Sequence, residues 1–349
     1  MRRGPPKPYG NRTLSQTAGG QDAWQSQGDM TDLNTTQYAE FKAKRALWIE
    51  CLSGDDRHSV IWQIHDMLWN AATFHVIGEA RRLANPAKEG GVELSGLVHR
   101  LIDECFSASQ AAAIRRLTDK SPLSGGQGVY SLTSLLTEMG KNARLMTRAH
   151  MFAAEGLELD YRPVQQACLE YERQHMRLGD VMWLPSDLDW LRIVQRHRVI
   201  DRLTGVTEQT RSNDDWIRPV VFAKLRQKVE GVCADVIRHV NKSIAHAATP
   251  ESRETVSADK ANITWGHLWR AHEAICKVAN FVNLYMLTGT QHSLLAIPQY
   301  DHFAYIDRPL VKADKVQYLR TAWDRYGKET EAWTNWGIDE FESECKNGW

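Results

Sequence analysis

The wide spacing of the prolines constrains the fold more than any other feature of the sequence. Three of the eleven prolines lie in the first eight residues, and long stretches rich in Ala, Leu, Glu, Gln, Arg and Met separate most of the others. Because proline lacks an amide donor and clashes with the preceding helical turn, it usually marks where a helix begins or ends. Alternating apolar and polar patterns, which are typical of strands, are nearly absent. The sequence therefore predicts an all-α protein built as a bundle of long helices.

The proline-bounded stretches divide the chain into three regions. Residues 1–33 are rich in Gly, Pro, Gln and Ser and have almost no aliphatic residues, so we expect a disordered, flexible leader. Residues 34–298 are expected to form the helical bundle, and residues 299–349 an aromatic and acidic C-terminal helical extension. The predicted helices cover about residues 36–52, 57–84, 92–118, 130–155, 164–179, 187–203, 215–248, 259–287 and 312–346.

Charge and cysteine content exclude several classes of protein. The 43 Lys and Arg residues balance 43 Asp and Glu residues, whereas a protein that coats nucleic acid by bulk charge is basic throughout. The six cysteines are dispersed without a CxxC pair, which argues against a disulfide scaffold or a zinc ribbon. No stretch approaches the roughly 20 apolar residues of a membrane span, and Gly4-Pro5-Pro6 stands where a signal peptide has its apolar core. We therefore expect a cytoplasmic protein without a membrane partner.

Motifs for a metal or an organic cofactor are not evident. The glycine-rich run at residues 124–128 lacks the Lys-Ser/Thr of a phosphate-binding loop, and no strand precedes it. Glu172 and His175 form one ExxH pair, whereas a carboxylate-bridged di-metal bundle needs two such pairs. The sequence therefore predicts no metal site and no cofactor.

The segment 216–248, within the predicted helix 215–248, has two distinct faces. An apolar face recurs at steps of three and four residues. Titratable side chains recur on another face at steps of four, three and four, with Arg238 and Asn241 beside them. The apolar face consists of Leu225, Val229, Val232, Val236, Val240 and Ile244, and the titratable stripe consists of Asp235, His239, Lys242 and His246.

The titratable stripe has two interpretations. In the first, it is a solvated face with ordinary (i, i+4) pairs, Asp235 with His239 and Lys242 with His246. In the second, a histidine that titrates near neutral pH exchanges protons while a neighbouring cation stabilises a phosphate. That combination suits RNA cleavage without a metal, in which the ribose 2′-OH loses a proton and attacks the adjacent phosphorus.

The segment Val240-Asn241-Lys242-Ser243-Ile244-Ala245-His246-Ala247 resembles the RNKxxAH form of the signature of HEPN (higher eukaryotes and prokaryotes nucleotide-binding) domains. Two upstream elements resemble the AbiU-type abortive-infection branch of that superfamily: an Asp-bearing helix that ends in Arg115-Arg116-Leu117-Thr118-Asp119, and the later Ser131-Leu132-Thr133-Ser134-Leu135-Leu136. The similarity covers about residues 40–290.

The resemblance implies an all-α, commonly dimeric protein, and many such proteins are endoribonucleases of phage defence or toxin–antitoxin systems. By this resemblance, His246 matches the histidine of the signature, Asn241 its polar residue and Lys242 its lysine. Val240 occupies the position of the catalytic arginine and also lies on the apolar face. A cation could instead come from Arg238 or His239, with Asp235 in support.

The partners expected from these features are RNA, a second copy of the chain, and an antitoxin or another defence protein. A basic predicted helix offers a candidate RNA contact through Arg192, Arg196, Arg198 and Arg202, although arginines on bundle surfaces are often merely solvated. Two other functions stay open. The bundle could be a catalytically inactive binding or regulatory module, as Val240 suggests, or a structural subunit whose C-terminal region docks a partner. For that region we favour packing onto the bundle.

Overall fold

The computed structural model describes residues 35–83, 96–125, 128–175, 189–244, 263–289 and 313–346, with the short stretches 293–295, 298 and 301–304. Within these ranges the chain forms eleven α-helices and no strand, apart from one isolated bridge between Thr147 and Trp216. The predicted all-α class is therefore confirmed. The predicted leader, residues 1–33, lies outside the described residues.

The helices are numbered here in chain order. Short 3₁₀ turns occur at Ala143–Leu145, Glu208–Thr210, Ala313–Lys315 and Trp333–Asn335, and π turns at Val240–Ile244 and Val282–Met286. The α-helices are α1 Thr35–Ser53, α2 Val60–Leu83, α3 Gly96–Leu117, α4 Leu132–Lys141, α5 Arg148–Glu155, α6 Arg162–His175, α7 Trp190–Thr204, α8 Pro219–His239, α9 Trp265–Phe281, α10 Val316–Ala332 and α11 Ile338–Lys346.

The predicted helix over residues 130–155 is two helices, which corrects the sequence-based boundary. After α4, the Asn142 backbone and a 3₁₀ turn redirect the chain. Thr147 then adopts an extended conformation, and its hydroxyl accepts a hydrogen bond from the His150 amide at 3.1 Å, which caps α5. The hydrophobic pattern continues through the break, so the pattern alone does not reveal it.

Helix α8 lies at the centre of the bundle, where it packs against α3, α4 and α9. Its residues Leu225, Val229 and Val236 are fully buried, as the predicted apolar face requires. Val232, which the sequence also places on that face, is 39% exposed. The buried stripe of α8 is therefore narrower than predicted.

The C-terminal helices contribute to the same core as the rest of the bundle. Helix α10 packs against α2, and the 3₁₀ turn that follows α10 packs against α9. Trp323, Tyr326, Trp333 and Trp336 are all buried. None of the described helices is long and apolar enough to cross a membrane. The six cysteines all lie among the described residues and are free thiols.

Candidate functional site

The predicted site begins in the last two turns of α8. Arg238 Nη1 lies 2.6 Å from Asp235 Oδ1, so these residues form an ion pair one turn apart. Their side chains are 40% and 44% exposed, and a screened pair of this kind contributes only about 0.3–0.5 kcal/mol. His239 is half-buried beside them. The charge of Arg238 is thus partly offset within the chain before any ligand binds.

The α-helix ends at His239 and the chain continues as a π turn over Val240–Ile244, where the sequence predicts α-helix; residues 245–248 of that predicted helix lie outside the described residues. A π turn closes its hydrogen bonds between residues i and i+5, so the α-helical register assumed for the titratable stripe does not extend to Lys242. Asn241 is exposed and Lys242 is half-buried. Single π turns occur frequently at functional sites.

Val240 is 4% exposed and belongs to the hydrophobic core. Its location agrees with the sequence pattern, which places it on the apolar face. Because it is buried, the position at which the resembling family has its arginine faces the interior of the bundle. The described residues therefore offer Arg238 and Lys242, and not position 240, as cations at this end of α8.

His246, the predicted acid/base residue, lies outside the described residues, as does the whole stretch 245–262. The backbone is described up to Ile244 and the side chains up to Lys242. The roles predicted for His246, Asn241 and Lys242 remain predictions.

The two upstream elements of the resemblance lie against each other. The hydroxyls of Ser131 and Ser134, at the start of α4, donate to the Asp119 carbonyl at 2.6 Å and 3.1 Å. Burial raises the pKa of Asp119, but hydrogen bonds from Ser121 and the neighbouring Arg115 outweigh it, so the pKa lies below its ordinary value. This loop also reaches α8, because Lys120 Nζ lies 3.0 Å from a carboxylate oxygen of Glu230.

Helix α3 links these elements to the motif segment. It packs against both α8 and the π turn. Lys120, just beyond its C-terminal end, contacts the middle of α8, so α3 runs antiparallel to α8. Elements more than 100 residues apart in sequence are thereby brought together. The hydrogen bonds of Ser131 and Ser134 to the Asp119 carbonyl fix the loop before α4, and the ion pair of Lys120 with Glu230 joins that loop to α8.

The basic helix α7 has both surface and interior arginines. Arg192, Arg198 and Arg202 are exposed, and Arg202 Nη1 lies 2.5 Å from Asp339 Oδ1 of α11. Arg196 is buried, with Nη2 2.5 Å from Glu155 Oε1 of α5 and Nη1 donating to the Tyr285 carbonyl at 2.7 Å. Arg196 therefore joins three parts of the bundle. RNA contact by the exposed arginines stays a prediction.

A second buried polar cluster, around Arg148, is not predicted by the sequence patterns. Arg148 is 1% exposed, and its Nη2 lies 2.8 Å from Asp201 Oδ1 and 3.1 Å from Asp215 Oδ2. Its Nη1 lies 3.0 Å from His197 Nδ1, and because arginine can only donate, that nitrogen is the acceptor. His197 Nε2 then donates to the Leu159 carbonyl at 2.8 Å. Arg148 is one of several charged residues in the stretch 138–155, so the sequence gives no signal that this arginine is buried.

The Arg148 cluster has its ionisation states fixed by its surroundings. Burial raises the pKa of Asp201, but hydrogen bonds from Arg211 and Arg148 outweigh it, so the pKa is lowered. Burial lowers the pKa of His197, and the hydrogen bond to the Leu159 carbonyl only partly opposes this. The cluster therefore holds α5, α7 and the loop before α8 together, with an ionised aspartate and a neutral histidine.

No group of three or more His, Cys, Asp or Glu side chains in the described part of the chain is arranged to hold a metal ion. On α6, His175 Nδ1 contacts the Tyr171 carbonyl at 2.9 Å, and Glu172 Oε1 lies 3.6 Å from Cys168 Sγ. The chain matches no protein-family model, no curated protein and no solved structure.

Proposed function

We propose that the protein is a metal-independent endoribonuclease of a phage-defence or toxin–antitoxin system. His246 would act as the acid/base residue that removes the 2′-OH proton. The 2′-oxygen then attacks the adjacent phosphorus, the P–O5′ bond breaks, and the leaving 5′-oxygen takes up a proton, which gives a 2′,3′-cyclic phosphate and a 5′-OH end. Lys242 and Arg238 would stabilise the negative charge that develops on the phosphate, and Asn241 would position it through a hydrogen bond. Asp235 and His239 support this group from the preceding turn.

The observation that supports this proposal is the change from α-helix to π turn at Val240. It leaves Val240 in the core while Asn241 is exposed and Lys242 half-buried at the end of the central helix. The same segment resembles the HEPN signature. A widened turn that orients polar side chains at the end of a rigid, buried helix is a suitable support for chemistry at a phosphate.

The partners belong to the same proposal. We expect a homodimer, in which two copies of the motif segment form one cleft, and an antitoxin or another defence protein that controls it. We expect the protein to act in the cytoplasm, where RNA is the substrate.

The test is RNA cleavage by the purified chain in buffer containing a metal chelator. We expect cleavage that leaves 2′,3′-cyclic phosphate ends, and its loss in His246→Ala. His175→Ala is the matched control, because His175 is exposed on α6 and contacts its own helix. Equal cleavage by wild type and His246→Ala, or no cleavage by either as monomer or dimer, would refute the proposal.

A second candidate function is a catalytically inactive HEPN-like module that binds a protein or a nucleotide. The burial of Val240 favours it, since an arginine-dependent mechanism lacks its cation at that position. Arg238 is a weak substitute, because Asp235 already binds it. This function is favoured over the first if the wild-type protein binds RNA or a partner without cleaving RNA, and if the His246→Ala variant binds equally well.

A further inference from the structure

Cationic side chains follow the boundary between α4 and α8. Lys120, in the loop before α4, has its Nζ 3.0 Å from Glu230 Oε2 of α8. Arg226 Nε lies 3.5 Å from Glu230 Oε1, and Arg226 Nη1 donates to Thr137 Oγ1 of α4 at 3.4 Å. Lys141 is exposed and lies one turn after Thr137, on the same side of α4. These contacts and the helical repeat place three cations in succession along the boundary.

The boundary continues to the end of α4 and beyond it. Gly140 comes close to Phe222, where a Cβ at position 140 would lie 3.3 Å from the Phe222 Cβ. This approach is one turn later on α4 and one turn earlier on α8 than the contact before it, so the two helices run antiparallel. In the turn after α4, the guanidinium carbon of Arg144 lies 5.7 Å from the centroid of the Trp216 ring, just before α8. We call Lys120, Arg226, Lys141 and Arg144 the basic row.

The basic row stays positive when the described carboxylates of α4, α8 and the loops before them are counted. Glu230 contacts two of the four cations, and Asp214 is exposed two residues before Trp216. Four cations and two carboxylates leave a net charge of about +2. The other carboxylates of these elements are paired with cations outside the row. These pairs are Asp119 with Arg115, Glu138 with Lys44, Glu208 with Arg211, Asp215 with Arg148 and Asp235 with Arg238.

Arg144 differs from the other members of the row because an aromatic ring supports it. Trp216 is half-buried and packs against the core, and Arg144 is exposed over its ring. A cation within about 6 Å of an indole centroid is attracted to the ring. The inner side of the guanidinium is therefore held by Trp216, and its outer side faces solvent. Nucleobases of single-stranded RNA stack on guanidinium planes of this kind.

We propose that the basic row binds single-stranded RNA, with phosphates at Lys120, Arg226 and Lys141 and a base stacked on Arg144. A row of cations matches the repeated negative charge of an RNA backbone. The part of α8 from Pro219 to Glu230 is about 17 Å long, which is enough for several nucleotides. An acidic peptide would also match the charge, but it offers no flat ring to the outer side of Arg144.

The basic row lies on the same helix as the site proposed for cleavage. Glu230 precedes His239, the last residue of α8, by about 14 Å along the helix axis. A strand bound on the row and extended past Lys120 would approach the π turn at Val240–Ile244. The choice of RNA as the ligand rests on the proposed function, but binding to the row requires no cleavage.

The test is binding of the full-length chain to a fluorescent single-stranded RNA of about 15 nucleotides, followed by anisotropy between about 50 and 200 mM KCl. Its 2′-O-methyl groups remove the nucleophile, so the strand is bound without being cleaved. We expect Arg226→Gln and Lys141→Gln each to weaken binding several-fold at low salt. Each should also make the slope of log K against log[KCl] less negative by about 0.7, because one phosphate contact is lost.

Arg144→Lys tests the stacked base, because lysine keeps the charge and lacks the planar face. We expect this variant to bind the RNA more weakly with the salt slope of wild type. Lys328→Gln is the matched control, since Lys328 is exposed on α10, which packs against α2, and it should leave both the affinity and the slope unchanged.

Unchanged affinity and slope in both Arg226→Gln and Lys141→Gln, or equal weakening by Lys328→Gln, overturns the proposal. If Arg226→Gln fails to fold, Lys141→Gln decides the question, because Lys141 is exposed. A poly-glutamate peptide that displaces the RNA and binds wild type and Arg144→Lys equally tightly would assign the row to an acidic protein instead. RNA cleavage is measured separately on unmodified RNA, so a failure of the proposed function is distinguishable from a failure of this binding surface.

Discussion

Val240 and Asn241 are neighbours in the sequence with opposite environments, since Val240 is buried in the core and Asn241 is exposed. An arginine placed at position 240 would therefore lie in the hydrophobic core. We expect Val240→Arg to destabilise the protein by about 3 kcal/mol or more, the usual penalty for an unpaired buried charge, and not to create or raise RNA cleavage. Urea unfolding checks this, with Asn241→Arg as control. A Val240→Arg protein of wild-type stability would contradict the described burial.

His272 of α9 is completely buried, and neither ring nitrogen has a hydrogen-bond partner among the residues that the structure describes. Burial lowers its pKa from 6.5 to about 3, so the native state keeps it neutral while the unfolded chain binds a proton below pH 6.5. The contribution of neutral, buried His272 to the free energy of unfolding is thus fully present above about pH 6.5 and is lost as the pH falls toward 3. At pH 5 the loss relative to neutral pH is about 2 kcal/mol.

His272→Leu removes this titration together with two unsatisfied polar atoms. Between pH 7 and pH 5, we expect the free energy of unfolding to fall by about 2 kcal/mol less in the variant than in wild type. Urea unfolding at both pH values measures this difference. His175→Leu, which alters an exposed histidine, should leave the wild-type dependence unchanged. An identical pH dependence in wild type and His272→Leu would show that position 272 is not buried as described.

At the scale of elements, α5 and α7 are joined by the buried pair of Glu155 and Arg196, whose side chains are 4% and 7% exposed. Arg196→Met leaves a buried carboxylate without its partner, so we expect a loss of about 3–5 kcal/mol in the free energy of unfolding. The double variant Glu155→Leu/Arg196→Met removes both charges and should recover much of that loss. Arg198→Met, at an exposed position, should change stability little. Equal effects of the two single arginine variants would contradict the structural role of Arg196.

Hydrophobic periodicity and proline spacing are sufficient to predict the helical class and most helices, because the period of an amphipathic helix is local in sequence. The break between α4 and α5 and the π turn at Val240 are not predicted, since side-chain caps and core packing decide them without changing the hydrophobic pattern. Ion pairs such as Arg148 with Asp201 join residues 53 positions apart, and a single sequence does not reveal such partners. For the candidate site, the sequence identifies the segment and the burial of Val240, but not the pairing of Arg238 with Asp235.

At the scale of the whole molecule, the C-terminal helices close the core beside α2 and α9. The Trp269 ring contacts Tyr326 and Trp333 at centroid distances of 5.2 Å and 4.8 Å, and Trp69 contacts Trp323 at 5.1 Å. Each ring pair contributes about 0.5–1.5 kcal/mol beyond the burial of its apolar area. Removal of α10 and α11 would expose these contact surfaces of α2 and α9 to water.

We therefore expect a chain truncated after residue 312 to unfold at a much lower temperature than the full chain, or to aggregate, because several buried aromatic residues are lost together. Thermal unfolding followed by near-UV circular dichroism, with light scattering for mass, checks this. Ser343→Ala is the control, because Ser343 is exposed on α11 and its substitution leaves the helix and its buried face intact. A truncated chain with the unfolding temperature of the full chain but a smaller oligomer would show instead that the C-terminal region is an interface between chains.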